Sequence, residues 1–297
     1  MHLFIINPVA GKKDCSKELI AQIEALALSE CEYVLTKRPG DATKIASEYC
    51  EKCDNLRIYS CGGDGTLNEI IRGAYGYPHC EIGIVPIGSG NDFMRSLEQV
   101  ETANFLDIKK QVTVSSVSVD LMKVGENISI NIISAGFDSA VAENMVRFKK
   151  LPFVSGAMAY NLSLIYCLFT KRRHRFSLVA DGTKIDDGGK PYTLALAANG
   201  CYYGSGYKAA PRANLSDGLI DFIRVPNISI PKFLKFVGIY KKGEHLDKLN
   251  FLELIRCKKL EIVSDNDISL NLDGEIIQIK NPVIEIIPSA MKIIVPN

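Results

Sequence analysis

The chain has 297 residues, 47% hydrophobic and 23% charged, the balance of a chain that buries a core rather than of a disordered one. Thirty-five Lys and Arg against 34 Asp and Glu leave a formal charge of +1, which excludes a general electrostatic footprint for nucleic acid, so any anion must be bound locally. Nine scattered cysteines lack the spacings of a disulfide framework or a zinc site, and a reducing cytosol is their natural compartment.

Met1 leads at once into Leu3-Phe4-Ile5-Ile6, too short for a signal peptide and without a basic flank or cleavage site, so the run reads as the first strand. From there to about residue 100, short apolar runs at Leu3 to Ile6, Glu32 to Leu35, Leu56 to Ser60 and Ile82 to Pro86 alternate with helical patterns. Leu19, Ile23 and Leu26 recur at helical spacing, and so do Ala42, Ile45, Ala46 and Tyr49. That alternation predicts βα units around a parallel sheet.

Small-residue turns stand where these strands end. The first is Asn7-Pro8-Val9-Ala10-Gly11-Lys12-Lys13, whose lysines suit nucleotide phosphates although the Walker spacing is absent. The second is Cys61-Gly62-Gly63-Asp64-Gly65-Thr66-Leu67-Asn68-Glu69, between a strand and a helix. Its glycines let the backbone approach a phosphate, and the helix start offers free N–H groups. The embedded Asp64 makes sense where Mg²⁺ lies between it and the phosphates, or where it orients an attacking hydroxyl. The third is Pro86-Ile87-Gly88-Ser89-Gly90-Asn91-Asp92-Phe93, which is not a dinucleotide fingerprint because its third glycine and the ribose-binding acid are missing. Turns from neighbouring parallel strands face one crevice.

Near Gln111 the period changes. Val112 and Val114, then Val117, Val119 and Leu121, alternate with polar residues, and Ile128, Ile130 and Ile132 repeat the pattern after Gly125, which predicts a hairpin. Further alternating runs at Phe176 to Ala180, Thr193 to Ala197, Leu219 to Arg224, Leu260 to Ser264 and Ile268 to Leu272 predict a mainly antiparallel second half. Helices are expected at residues 137–147, 153–169 and 230–241. Pro152 to Phe169 is largely apolar and is followed by Lys171, Arg172, Arg173, His174 and Arg175, but Ser155, Gly156, Asn161 and Ser163 interrupt it. A buried helix is the first reading and a helix touching a membrane surface the second. Cys50-Glu51-Lys52-Cys53 falls inside a helical pattern and reads as structural, and the four histidines are isolated. Tyr202, Tyr203 and Tyr207 suit either a lipid cleft or simple packing.

In this order, Asn7-Pro8, Gly62-Gly63-Asp64-Gly65-Thr66, Gly88-Ser89-Gly90-Asn91-Asp92-Phe93 and Asp273-Gly274-Glu275 resemble the diacylglycerol kinase catalytic family, including bacterial soluble lipid kinases of the YegS-like kind, over essentially the whole chain. The resemblance implies an ATP- and Mg²⁺-dependent kinase acting on a lipid hydroxyl. Its fold would be an N-terminal Rossmann-like α/β domain of the NAD kinase and phosphofructokinase kind at residues 1–125, rejoined by residues 286–297. A mainly antiparallel β-rich, lipid-associated domain would occupy residues 126–285.

By the same resemblance, ATP would contact Asn7, Pro8, Val9, Ala10, Gly11, Thr36, Gly62, Gly63, Asp64, Gly65, Thr66, Leu67, Asn68, Glu69 and Ser89, the last standing where the family often has Thr. A structural Mg²⁺ would be held by Asp217 with backbone oxygens of Asn214 and Leu219, Glu275 would be the general base, and Asp64 would hold water or Mg²⁺ against the triphosphate. The acceptor would be a lipid at the membrane surface, diacylglycerol first, with a sphingoid base, ceramide, monoacylglycerol, phosphatidylglycerol or a polyprenol as alternatives. A cytoplasmic protein associating peripherally with the membrane, with a homodimer allowed, completes the expectation. NAD kinase shares the Gly-Gly-Asp-Gly turn but lacks the Gly-Ser-Gly-Asn-Asp-Phe run. A non-catalytic nucleotide-binding module would have no chemical need for Asp64, Asp217 and Glu275 together.

Overall fold

The computed structural model describes residues 1–97, 100–151, 156–185 and 188–296. The elements of its first half are β1 (His2–Ile6), α1 (Ser16–Glu24), β2 (Cys31–Leu35), α2 (Asp41–Lys52), β3 (Leu56–Gly62), α3 (Asp64–Ala74), β4 (Cys80–Pro86), α4 (Asp92–Arg95), α5 (Thr102–Leu106), α6 (Ile108–Gln111), β5 (Ser116–Val124) and β6 (Asn127–Ser129). There follow β7 (Ile132–Gly136), α7 (Phe137–Lys149), α8 (Gly156–Thr170), β8 (Ser177–Ala180), β9 (Thr183–Lys184), β10 (Tyr192–Ala198), β11 (Ile220–Pro226), α9 (Ile230–Lys241), α10 (His245–Lys248), β12 (Glu253–Cys257), β13 (Lys259–Val263), β14 (Ile268–Leu272), β15 (Glu275–Ile279) and β16 (Val283–Ile294).

β2, β1, β3 and β4 lie side by side, all parallel. Ile6 stands opposite both Leu35 and Cys61, and Gly62 opposite Pro86, so the carboxyl ends of the strands finish along one edge. Successive side chains point to opposite faces. Leu3, Ile5, Ile58 and Ile82 are buried with Ala42 and Ala46 of α2 and Ile70 and Ile71 of α3. Phe4, Ile6, Tyr59 and Val85 meet Leu19 and Ile23 of α1 on the other face. Burial on both faces is why β1, β3 and β4 read as nearly continuous apolar runs, whereas β2 at the edge is largely exposed.

β16 carries the sheet onward. It runs parallel to β4 at Lys292 and Ile293, antiparallel to β5 from Ile284 to Ile294, and antiparallel to β13 at Val283 to Glu285. A second sheet has the order β12-β11-β10-β7-β14-β15 and is antiparallel throughout. On one face Ala195, Ala197, Phe222 and Leu270 pack against Met122, Leu178 and Leu260 of the first sheet. On the other, Leu194, Leu196, Ile223 and Val225 meet Phe137, Val141, Phe233, Phe236 and Tyr240 of α7 and α9. The expected fold class, a parallel α/β half followed by a mainly antiparallel β-rich half, is therefore the one observed.

Two local expectations change. Val112 and Val114 belong to no strand: α6 ends at Gln111, whose buried side chain donates to Ile84 O at 2.7 Å and accepts the Ile84 N–H at 3.2 Å, pinning the chain against β4. The carbonyls of Val112 and Val114 instead accept from Arg57. The predicted hairpin also splits. Residues 127–129 pair with β5, whereas Ile132 opens β7 in the other sheet, because Asp273 accepts the N–H groups of Ile130, Asn131 and Ile132 and draws the chain across.

Residues 153–155 of the expected helix lie outside the described residues; the rest is α8, extended by one residue to Thr170. Its packed face is the one expected of a buried helix, with Ser163 and Cys167 buried, while Ile165 and Phe169 on the other face are 57% and 68% exposed. No helix among the described residues is long and apolar enough to cross a membrane.

His245 is completely buried beside the rings of Phe236 and Tyr240, and burial pulls its pKa from 6.5 to about 4. The unfolded chain then binds this proton more readily than the folded one. Its stabilising contribution is whole above the ordinary value and is lost as pH falls from there toward the folded one. Between about pH 7 and about pH 5 the melting temperature of the wild type should fall more steeply than that of His245→Phe; parallel slopes would remove the assignment.

Candidate active site

The site forms where the strands end and the chain must turn. After β1, Asn7 donates its N–H to Cys61 O at 2.9 Å, and its side-chain amide donates to Thr66 Oγ1 at 3.0 Å. The first turn is thereby tied to the second. Gly11 has φ +79°, and a Cβ there would come within 2.3 Å of Ile87 O. Gly88 donates to Gly62 O at 3.0 Å, and a Cβ on Gly88 would stand 2.3 Å from Gly63 Cα. The three turns predicted separately are pressed together backbone against backbone.

α3 begins in this cluster. Gly63 is its N-cap, with no side chain capping it, and the first intrahelical bond is Leu67 N–H to Gly63 O. The N–H groups of Asp64, Gly65 and Thr66 thus have no partner within the helix, which is the ordinary arrangement for holding a phosphate. Ser89 is exposed at the tip of the third turn, and Lys12 and Lys13 are exposed beyond the first.

Two carboxylates flank the cradle. Asp64 Oδ1 accepts the Phe93 N–H at 3.2 Å, and burial together with repulsion from Asp92 raises its pKa. Asp92 is buried; its Oδ2 accepts the Ser205 N–H at 2.7 Å, while its Oδ1 has no hydrogen-bond partner and lies 3.8 Å from Arg95 Nε. Neighbouring carboxylates facing a phosphate-sized turn are an arrangement that a divalent cation would relieve.

The Asp273-Gly274 turn closes the site from the second sheet. Asn68 Nδ2 donates to Asp273 O at 3.2 Å, and the Asp273 carboxylate accepts the Ile132 N–H at 2.7 Å. Burial outweighs these donors and pushes its pKa up to about 6. Beyond lies a cavity of about 490 Å³ whose lining includes the polar Asp64, Asp92, Asp138, Thr193 and Asp273 and the apolar Val141, Met145, Leu164, Leu168, Phe233 and Val237. Tyr203 and Tyr207 line it and also pack against the core on this face of the second sheet; Tyr202 instead lies under Lys208 Nζ, 5.3 Å from its ring.

The other expected residues are spread around this centre. Thr36 ends β2 with its N–H on Ile6 O at 2.9 Å. Pro8, Val9 and Ala10 complete the first turn, with Val9 exposed. Leu67 is buried in the core beneath α3, and the Glu69 carboxylate accepts the Ala42 N–H at 3.1 Å and so faces α2. Glu275 opens β15; its carboxylate is 52% exposed and 2.7 Å from Arg72 Nη2, and it is absent from the cavity lining although Gly274 belongs to it.

At the expected metal loop, Asp217 Oδ1 accepts the Leu219 N–H and Asn214 Oδ1 the Ser216 N–H, both at 3.0 Å. Beneath it the buried Asp120 accepts from Gly218 and Ser289. Among the described residues no group of three or more His, Cys, Asp or Glu side chains is placed to hold a metal. The loop's donors are all oxygens, a set that fits Mg²⁺ only with backbone carbonyls and water completing it.

Sequence reasoning quoted Asp92 without a role and passed over Asp120, Asp138 and Thr193. Asp92 was recoverable from its place in the third turn; the others acquire neighbours only through the tertiary fold. The histidines serve packing: His2 meets Tyr59 OH, His79 the Cys50 carbonyl and His174 the Lys171 carbonyl, and none lines the cavity. Cys50 is buried in α2, as the structural reading held.

Comparison with known proteins agrees with this geometry. Residues 1–124 match the diacylglycerol kinase catalytic domain, and residues 131–295 the YegS C-terminal NAD kinase beta sandwich-like domain. The chain is 26% identical over 276 residues to a diacylglycerol kinase of Bacillus subtilis strain 168, covering 91% of this chain and 88% of that one. It is 28% identical over 279 residues to a diacylglycerol kinase of Staphylococcus carnosus, covering 91% and 87%. A crystal structure described as a diacylglycerol kinase of Bacillus anthracis strain Sterne shares the fold, with a TM-score of 0.73, 21% identity and 99% and 96% of the two chains covered. With the second domain match spanning more than half of its length, the chain belongs to the diacylglycerol kinase and YegS-like lipid kinase family.

Proposed function

We propose that the protein transfers the γ-phosphoryl group of ATP to a lipid hydroxyl, with diacylglycerol as the acceptor and phosphatidic acid as the product. The observation that carries this reading is that Asp64 and Asp92, from two of three phosphate-sized turns packed together, line a largely apolar cavity of about 490 Å³, within the usual range of ligand pockets. In this reading residues 1–125 with 286–297 hold the nucleotide and 126–285 hold the lipid.

Asn7 to Gly11, Gly62 to Thr66 and Ser89 would cradle the triphosphate, with Thr36 beside them. Mg²⁺, when bound, neutralises charge on the transferred group, and Asp64 and Asp92 are the carboxylates that would hold it or its water. Asp217, with backbone oxygens of Asn214 and Leu219, is the proposed second, structural Mg²⁺ site. Phosphoryl transfer is mainly positioning and charge stabilisation, so a base receiving the proton late requires no greatly raised pKa. Glu275 is assigned that role, swinging from Arg72 toward Gly274 when substrate is present.

The lipid would be met at a membrane surface. α7 and α8 expose Val146, Ile165 and Phe169 beside Arg147, Lys149, Lys150 and Lys171, and the same helices give Met145, Leu164 and Leu168 to the cavity wall. Basic residues near an anionic surface contribute about 1 kcal/mol each.

With labelled ATP, Mg²⁺ and mixed micelles, label should appear in phosphatidic acid, and both Asp64→Asn and Glu275→Gln should lower kcat by roughly a hundredfold or more. Normal turnover in Glu275→Gln would remove the base assignment, and label in another lipid would change the acceptor while keeping the chemistry. Gly88→Ala should raise the KM for ATP by about tenfold because its methyl group forces the turns apart, an effect read by nucleotide titration against an unchanged lipid KM. Ile165→Ser combined with Lys149→Glu and Lys150→Glu should reduce co-sedimentation with anionic vesicles while leaving turnover on a short-chain soluble glyceride near wild type; unaltered co-sedimentation would dismiss this face.

A further inference from the structure

The cavity wall contains two polar atoms that the phosphate cradle does not use. Asp138 is the second residue of α7, and its Oδ2 accepts the Ser134 hydroxyl, but its Oδ1 is buried without a hydrogen-bond partner. Thr193 is 1% exposed, and its Oγ1 is likewise buried and unpartnered. Both residues line the cavity. β10 pairs antiparallel with β7, with Leu194 opposite Gly136, so Thr193 lies beside the turn from which α7 and Asp138 emerge. Orphaned polar atoms in a buried wall are normally met by water or by a ligand. A lipid chain that displaces the water must supply the replacement.

We propose that Asp138 and Thr193 form a subsite that binds an ester carbonyl of the acceptor lipid, both donating hydrogen bonds to it, and so select acyl glycerides over ether lipids. This rests on the reading that the cavity takes the acceptor lipid. Thr193 donates through its hydroxyl in any protonation state. Asp138 donates only as a neutral acid, a form that burial brings closer to neutral pH although the Ser134 hydroxyl and the Ser139 N–H act the other way. Among the described residues no Lys, Arg or His forms an ion pair with it. Val141 and Phe233 share its cavity as apolar walls, Asp64, Asp92 and Asp273 share it as acids, and the Tyr240 hydroxyl is turned to Tyr203. Burial already pushes the Asp138 pKa up to about 6, and a lipid that expels the remaining water moves it further in the same direction. Since Oδ2 accepts from Ser134, the proton sits on Oδ1, the unpartnered atom.

A second hydroxyl or amine on the lipid would suit an ionised Asp138 instead. The two forms are separable because an ester and an ether glyceride carry the same free hydroxyl and differ in the carbonyl alone. The wild-type protein, with ATP and Mg²⁺, should phosphorylate dioctanoylglycerol with a kcat/KM about tenfold or more above that for dioctylglycerol, its diether counterpart, in the same micelles. The ester-to-ether ratio should fall toward one in Asp138→Leu and in Thr193→Val, and should survive in Asp138→Asn, whose amide keeps a donor at every pH.

Thr193→Val, close in shape to the native side chain, keeps the test decisive if Asp138→Leu fails to fold. A wild-type ratio near one, a ratio that no variant changes, or an Asp138→Asn protein that behaves like Asp138→Leu would each overturn the subsite. Equilibrium binding of fluorescent ester and ether glycerides without ATP reads the same ratio independently of catalysis. If no lipid is phosphorylated at all, the kinase reading fails, and the binding ratio still decides whether Asp138 and Thr193 recognise the carbonyl.

Discussion

Backbone meets backbone where Gly88 approaches Gly63, and a side chain on Gly88 would occupy the space of the other turn. That approach follows from the register of β3 and β4, which ends Gly62 opposite Pro86 and leaves both chains to turn at the same level. Gly11 against Ile87 O adds the third turn under the same constraint. Because side chains are excluded between the turns, the N–H groups at the start of α3 stay uncapped by protein. The same closeness buries Asp64 and sets it beside Asp92, and burial first and the neighbouring charge second raise its pKa. A phosphate cradle and a pair of strained carboxylates are two results of one packing decision.

The second half is joined to this cradle through polar groups. Asp273 collects three N–H groups where the chain passes from β6 to β7, and its own carbonyl receives Asn68 from α3. An unpaired carboxylate at that depth would be very costly, and even an orphaned neutral polar atom costs about 1–3 kcal/mol. Satisfying it demands that the ends of β6, β7 and β14 and the first turns of α3 keep fixed positions. This junction is therefore defined by hydrogen bonds, whereas much of the cavity wall is defined by apolar side chains.

What could be read beforehand follows these two kinds of force. β1, β3 and β4 were legible because they are largely buried on both faces and rich in apolar residues, and the edge strand β2 by its short Tyr-Val-Leu run; the turns were legible because close backbone approach admits few residues besides glycine. The split of Ile128 from Ile132 was hidden, since their spacing is that of one strand and only Asp273, far along the chain, separates them. Val112 and Val114 misled for the reverse reason: they have strand spacing, yet Gln111 holds the preceding helix on β4. The ion pair of Glu275 with Arg72 and the burial of Asp138 arise between residues with no local pattern, so no window of sequence carries them.

α7 shows how one element can join surface to site. Asp138 stands at its start, Val141 and Met145 follow on the cavity side, and Val146 is exposed near its end. From Asp138 to Val146 is a rise of about 12 Å at helical pitch. In the proposed reading, a lipid whose head group lies beside Asp138 would keep its chains against the same helix. A lipid with long acyl chains leaves a bilayer at a free-energy cost of about 0.8 kcal/mol per methylene, so complete extraction is prohibitive. On the same proposal, a cavity whose wall runs from Asp138 to the apolar side chains of α7 and α8, with Ile165 and Phe169 exposed on α8, removes that requirement: only the head group and the nearest methylenes would leave the membrane for the hydroxyl to reach the turns.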